Sequence, residues 1–218
     1  MAFPQGWQEV CLISVTRAGS SASIRAAAQF AAITESIDIS EPDYPGESIP
    51  NTAGGRVWKQ TPQEDGEITL EMYPIEASAG DAENNKGLFQ QFAGTAADAA
   101  YDTAEPISTL LTATPGVDRT RSRFRVTVLW TNDDSGGTPP TTAEEATAAS
   151  TDSLRFSAMG CRLISHKADF TDGILKVTAT FKYPAMNKAG DVKMSRWDSG
   201  AQTAITALSA YDDEDSWT

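Results

Sequence analysis

His166 is the one histidine of this 218-residue sequence. Ser165 precedes it, Lys167 follows it, Asp169 lies three positions on, and Ser153 stands further upstream. A serine, a histidine and a carboxylate are the parts of a nucleophilic triad, in which the imidazole takes the hydroxyl proton and the acid orients the ring. Such a nucleophile is raised on a sharp turn, and no G-x-S-x-G elbow surrounds either serine. Neither a phosphate-cradling glycine loop nor an H-E-x-x-H pair occurs. Cys11 and Cys161 sit in separate apolar β segments with no histidine at metal spacing, so they read as buried free thiols. Asp212, Asp213, Glu214 and Asp215 form an acidic cluster without the glycine-turned loop of a calcium site, and read as solvated. The expectation is a non-enzymatic chain with no catalytic residues, no metal site and no cofactor.

Composition narrows what such a chain does. Thirty acidic residues oppose 17 basic ones, a formal charge of −13. Tight nucleic-acid binding requires basic patches that neutralise phosphate, and this balance points away from it. The excess acid reads either as a surface adapted to high salt or as one that repels a polyanion. Hydrophobic residues make up 40% of the chain, too many for a disordered protein. No apolar run approaches the roughly 18 residues of a membrane span, so no membrane partner is expected. The start, MAFPQGWQEV, has no basic flank followed by an apolar stretch, and synthesis and assembly in the cytoplasm are the expectation.

The elements that position these residues are mostly strands. A first strand is expected over Glu9–Thr16 and a second over Gln29–Ser40. In the second, Ile33, Ile37 and Ile39 share a parity that Glu35 violates, which places Glu35 at an edge, a salt partner or a subunit boundary. Glu41–Gly55 is rich in proline and glycine and reads as a long projecting loop. Arg56–Gln60 and Glu67–Tyr73 read as a hairpin around Asp65-Gly66. A helix is expected over Asn84–Phe92, a strand over Arg121–Thr131, and a short capped helix over Thr141–Ala149.

Ser153–Asn187 then alternates in two runs around Thr171-Asp172-Gly173. Leu154, Phe156 and Ala158 in one run, and Leu175, Val177, Ala179 and Phe181 in the other, mark the dry face. A final strand near Val192–Trp197 leads to an acidic C-terminal arm from residue 200 to 218, separate from a β domain spanning residues 1–199. The arm is expected to reach an adjacent subunit.

This order of segments resembles the tail tube proteins of long-tailed viruses. The resemblance runs over roughly residues 9–197 and is carried by GRVWKQTPQEDGEITLEMYPIEA, GLFQQFAG and the block from Ser153 to Trp197. In that block a Lys-Ala-Asp-Phe segment, an Asp-Gly reversal and a Phe-Lys-Tyr-Pro exit succeed each other. The resemblance implies a mainly β fold, a sandwich or half-barrel with one docked α-helix and long projecting loops. It also implies a virion protein whose homohexameric rings stack into a tube, a negatively charged conduit for DNA ejection, with tail terminator and tail tip proteins as further partners and viral DNA passing through without specific binding. Low lysine and abundant acid add the expectation of a halophilic archaeal host.

Parity then nominates residues. Ser36, Asp38, Glu67, Thr69 and Glu71 lie on polar faces that look into a channel or to outside solvent. Tyr44, Ile49 and Trp58 are the ring-stacking candidates, and Arg123, Arg125 and Tyr211 the inter-subunit candidates. The alternative from another class is a monomeric surface β-sandwich that binds glycans on Trp7, Trp58 and Trp130.

Overall fold

The computed structural model describes residues 10–18, 32–43, 45–60, 63–74, 123–132, 140, 142–149, 152–171, 174–201 and 203–217. They form nine strands: β1 Val10–Arg17, β2 Ala32–Ser40, β3 Gly46–Pro50, β4 Arg56–Gln60, β5 Gly66–Pro74, β6 Phe124–Thr131, β7 Asp152–Thr171, β8 Ile174–Tyr183 and β9 Ser195–Ala201. The fold is mainly β and every pairing is antiparallel. There is no helix among the described residues. The helix expected over Asn84–Phe92 lies outside them, as do Asp172 and Gly173 of the expected reversal.

One sheet runs β1-β6-β7-β8-β5-β2, with β9 added beside β7. Its hinge is β7, a strand of 20 residues. Residues 153–158 pair with β6 on one side and β9 on the other, while residues 162–171 pair with β8. Between the two stretches sits Gly160 at φ +63°, a left-handed conformation that a β-carbon disfavours. A Cβ there would also lie 2.8 Å from Met194 Cε. The kink redirects β7 from one half of the sheet to the other, so that both halves face a single apolar interior.

That interior follows from strict alternation. Ile13 and Val15 of β1, Val126 and Val128 of β6, and Phe156 and Ala158 of β7 pack with Ile68 and Leu70 of β5 and Val177, Ala179 and Phe181 of β8. Phe124 meets Phe181 edge to face at 6.0 Å between centroids. The parity anticipated for Phe156, Ala158, Val177, Ala179 and Phe181 is the parity observed.

Four expectations are corrected. Glu41–Gly55 is not wholly irregular, because Gly46–Pro50 forms β3 and pairs with β4 as a separate two-stranded sheet. The reversal is made by Asn51, whose Oδ1 accepts the N–H groups of Ala53 and Gly55 at 3.1 and 2.8 Å, with Gly54 at φ +81°. The hairpin expected between Arg56–Gln60 and Glu67–Tyr73 therefore does not form: β4 takes β3, and β5 lies between β2 and β8, where Ile68 and Leu70 reach the core. Residues 142–149 make turns rather than a helix. The last strand begins at Ser195, not Val192, and runs on to Ala201.

Candidate functional site

The outer side of the sheet is divided into a covered half and an open half. Behind β1, β6, β7 and β9, residues 142–149 and 203–217 lie across the polar parity. Leu129, Ala143 and Ile205 form one apolar cluster there, and Met159, Met194 and Tyr211 another. Thr147 and Ile205 exchange two hydrogen bonds of 3.0 Å, from the Thr147 N–H to the Ile205 carbonyl and from the Ile205 N–H to Thr147 Oγ1.

Two arginines are sealed beneath this cover. Arg125 donates from Nε to Glu144 Oε1 at 2.9 Å and from Nη2 to Oε2 at 2.7 Å, a two-pronged charge-assisted contact. Its Nη1 donates to the Ser209 carbonyl at 2.9 Å, and its guanidinium lies 5.1 Å from the Tyr211 ring centroid. Thr16 Oγ1 completes the carboxylate at 2.7 Å. Arg155 is fully buried and donates to Asp198 Oδ2 at 3.0 Å, to the Thr206 carbonyl at 2.8 Å and to the Glu145 carbonyl at 3.3 Å. Burial lowers its pKa, and Asp198 opposes the shift. The Tyr211 hydroxyl accepts the Gly160 N–H at 2.9 Å, and burial raises its pKa.

These contacts engage the inter-subunit candidates within one copy. Arg125 and Tyr211 are buried inside their own subunit and leave almost no surface for a neighbour. Arg123, half-buried, has its Nε 3.8 Å from Glu214 Oε2 of the same chain. Their carboxylate partners within the chain are Glu144 for Arg125 and Glu214 for Arg123, and residues 203–217 lie on the chain's own sheet. They are not helical, because Ile205 and Tyr211 reach separate apolar clusters rather than one stripe.

The open half is the outer face of β2, β5, β8 and the second part of β7. Register sets its residues in rows: Ser40, Glu67, Lys182, Arg162; then Asp38, Thr69, Thr180, Ser165; then Ser36, Glu71, Thr178, Lys167. All five lumen candidates thus share one polar face, Ser36 and Asp38 exposed and Glu67, Thr69 and Glu71 partly so. Ser36 Oγ donates to Glu71 Oε2 at 2.9 Å. The glutamates do not stand alone: Lys182 Nζ lies 3.7 Å from Glu67, and Lys176 Nζ lies 3.3 Å from Glu71 and 2.7 Å from Glu35. At the kink, a cleft of about 270 Å³ is lined by Arg123, Arg162 and Lys182 together with Asp65 and Gly160.

Glu35 resolves its own parity conflict. The β2–β5 register shifts between Thr34 and Ser36, a bulge that turns Glu35 out of the alternation. There it accepts from Tyr73 Oη at 3.0 Å, and hydrogen bonds from Lys176 and then Tyr73 hold its pKa down. The conflict in the sequence was the signal for the bulge. No comparable signal marked Glu144 or Asp198, whose partners lie far along the chain.

The remaining candidates fall elsewhere. Ile49 and Trp58 project from β3 and β4 with Val57, and Trp58 is 65% exposed. Tyr44 and Trp7 lie outside the described residues. Trp130 is half-buried and stacks on Trp197 at 6.1 Å. His166 pairs with Ala179, whose side chain is in the core, whereas Ser165 pairs with Thr180 and Asp169 with Lys176 on the open face. The serine and carboxylate therefore face away from the histidine, and Ser153 is buried against Thr131 Oγ1 at 2.7 Å. Neither Cys11 nor Cys161 is in a disulfide; Cys161 is buried as expected, Cys11 only partly, and burial pushes the Cys161 thiol up to about 12. Among the described residues no group of acids, cysteines and histidines is arranged to hold a metal, and no helix is long and apolar enough to cross a membrane.

No protein-family model matches the sequence, and no curated protein matches it. Among solved structures the chain is similar to one from the baseplate of the anti-feeding prophage, with 11% identity over 92% of this chain and 99% of that one and a TM-score of 0.49. A chain of the extended sheath-tube complex of PVC, an extracellular contractile injection system, has 9% identity over 91% and 92%, with a TM-score of 0.48. An Hcp protein has 7% identity over 87% and 98%, with a TM-score of 0.32.

Proposed function

We propose that this chain is a structural subunit of a virus tail tube. Copies join laterally into homohexameric rings, the rings stack, and the bore conducts viral DNA at ejection. The observation that carries the reading is the four-strand run β2-β5-β8-β7. It has apolar core on one face and exposed polar side chains on the other, and among the described residues both its edges lack a strand partner. Unpaired strand edges expose rows of N–H and C=O groups that another chain satisfies. Each strand of the run is antiparallel to the next. With an even number of strands, a copy related by rotation brings its β2 antiparallel to β7, and the ring closes as one half-barrel after another.

The open face then lines the bore. Glu35, Glu67 and Glu71 are tied to lysines, so much of the lining is neutralised pairwise rather than uniformly acidic, and Lys176 and Lys182 are already engaged when phosphate passes. The β3–β4 hairpin, with Ile49, Val57 and Trp58 exposed, is the stacking element between rings. The resemblance of Ser153–Trp197 to tail tube proteins supports the same reading and brings tail terminator and tip proteins as partners. Electron microscopy and light scattering of the purified chain across salt concentrations test it. Rings and tubes with a central bore are expected; a species that stays monomeric at every salt and concentration, above all one that binds glycans, overturns it.

A further inference from the structure

The two free edges of the four-strand run carry unpaired charges of opposite sign. On β2, Glu35 is held by Lys176 and Tyr73, but Asp38 is exposed and has no ion-pair partner among the described residues. On the outer edge of β7, Arg162 and Lys167 are exposed and likewise have none. On the proposed tube reading, we infer that Asp38 of one copy pairs with Arg162 and Lys167 of the next, and that this contact selects the lateral joint.

Register makes the contact tolerant. Asp38 is level with Thr69, Thr180 and Ser165, while Arg162 and Lys167 occupy the polar rows on either side of Ser165. If β2 of the next copy meets β7 without stagger, Asp38 lies diagonal to both cations. Diagonal neighbours on antiparallel strands are about 7–8 Å apart, within reach of long side chains. A two-residue slip either way sets Asp38 directly opposite one of them. The pairing has a second effect: among the described residues Arg162 and Lys167 are the cations of the open face left without a carboxylate, and a neighbour's Asp38 halves their net charge and so weakens the remaining grip on phosphate.

Contacts of like charge across an interface are repelled and suppress the wrong partner. Asp38→Lys is therefore expected to raise the concentration needed for assembly about tenfold or more, and Arg162→Asp with Lys167→Asp to do the same. The triple variant carrying all three reversals is expected to assemble within about threefold of the wild type. All three side chains are exposed, so unchanged thermal unfolding of the subunits separates an assembly defect from misfolding. If the reversed variants assemble as the wild type does, or the triple variant does no better than the double, the inference falls and the tube reading stands. If the wild type forms no rings at any salt, both fall.

Discussion

Behind β1, β6, β7 and β9 the outward cations are arginines under a cover of the same chain; behind β2, β5 and β8 they are lysines in the open. Arg125 and Arg155 each meet a carboxylate and at least one main-chain carbonyl, which a planar guanidinium with five donors does well and a lysine does poorly. Lys176 and Lys182 instead hold carboxylates at the surface, where a point charge on a flexible stem suffices. The same alternation of polar and apolar residues thus serves two purposes. On one half it is glue for a covering segment, and on the other it is a surface kept free.

The contrast is breakable first through Arg125. Arg125→Ala strands Glu144 in a buried site, and a loss of about 3–5 kcal/mol is expected in urea unfolding. Replacing both partners by apolar residues is expected to restore much of it, because the buried charge then has nothing to leave unpaired. A loss below about 1 kcal/mol in Arg125→Ala, as for an exposed pair, breaks the distinction between the halves.

Tyr211→Phe sharpens it at smaller scale. The hydroxyl that accepts the Gly160 N–H is lost while the ring stays under Arg125, so about 1–3 kcal/mol is expected. Hydrogen exchange at Gly160 is expected to speed up with it. Unchanged exchange there means that the kink holds without the covering segment.

The smallest effect is expected on the open half. Lys182→Ala removes a 3.7 Å contact to Glu67 between groups that are nearly half exposed. Subunit stability is expected to change by less than about 1 kcal/mol, and less still at high salt.

Much of the fold was legible because alternation is a local signal. Val126, Val128, Phe156, Ala158, Val177 and Phe181 declare their face within a few neighbours, and the core follows. The parity of Ser36, Asp38, Glu67, Thr69 and Glu71 was legible for the same reason. What alternation does not carry is which polar face will be covered. Arg123 and Arg125 look like a surface stripe in the sequence, and Arg125 is buried by the return across the sheet of residues 142–149, which bring Glu144, and of residues 203–217, which bring Ser209 from 84 positions along. The separate β3–β4 sheet was hidden too, because the prolines and glycines around Asn51 read as a long irregular loop, whereas Asn51 and Gly54 build a reversal between two strands.

The kinked strand β7 has a mechanical consequence. Its 20 residues cross from the covered half to the open half without a loop, so the two halves share a continuous backbone as well as a packed interior. Tension on the edge at residues 162–171 runs along this strand to residues 153–158, which are clamped between β6 and β9. A load applied along that strand has to shear two hydrogen-bonded ladders at once, whereas a hinge made of a flexible connection would have opened one bond at a time.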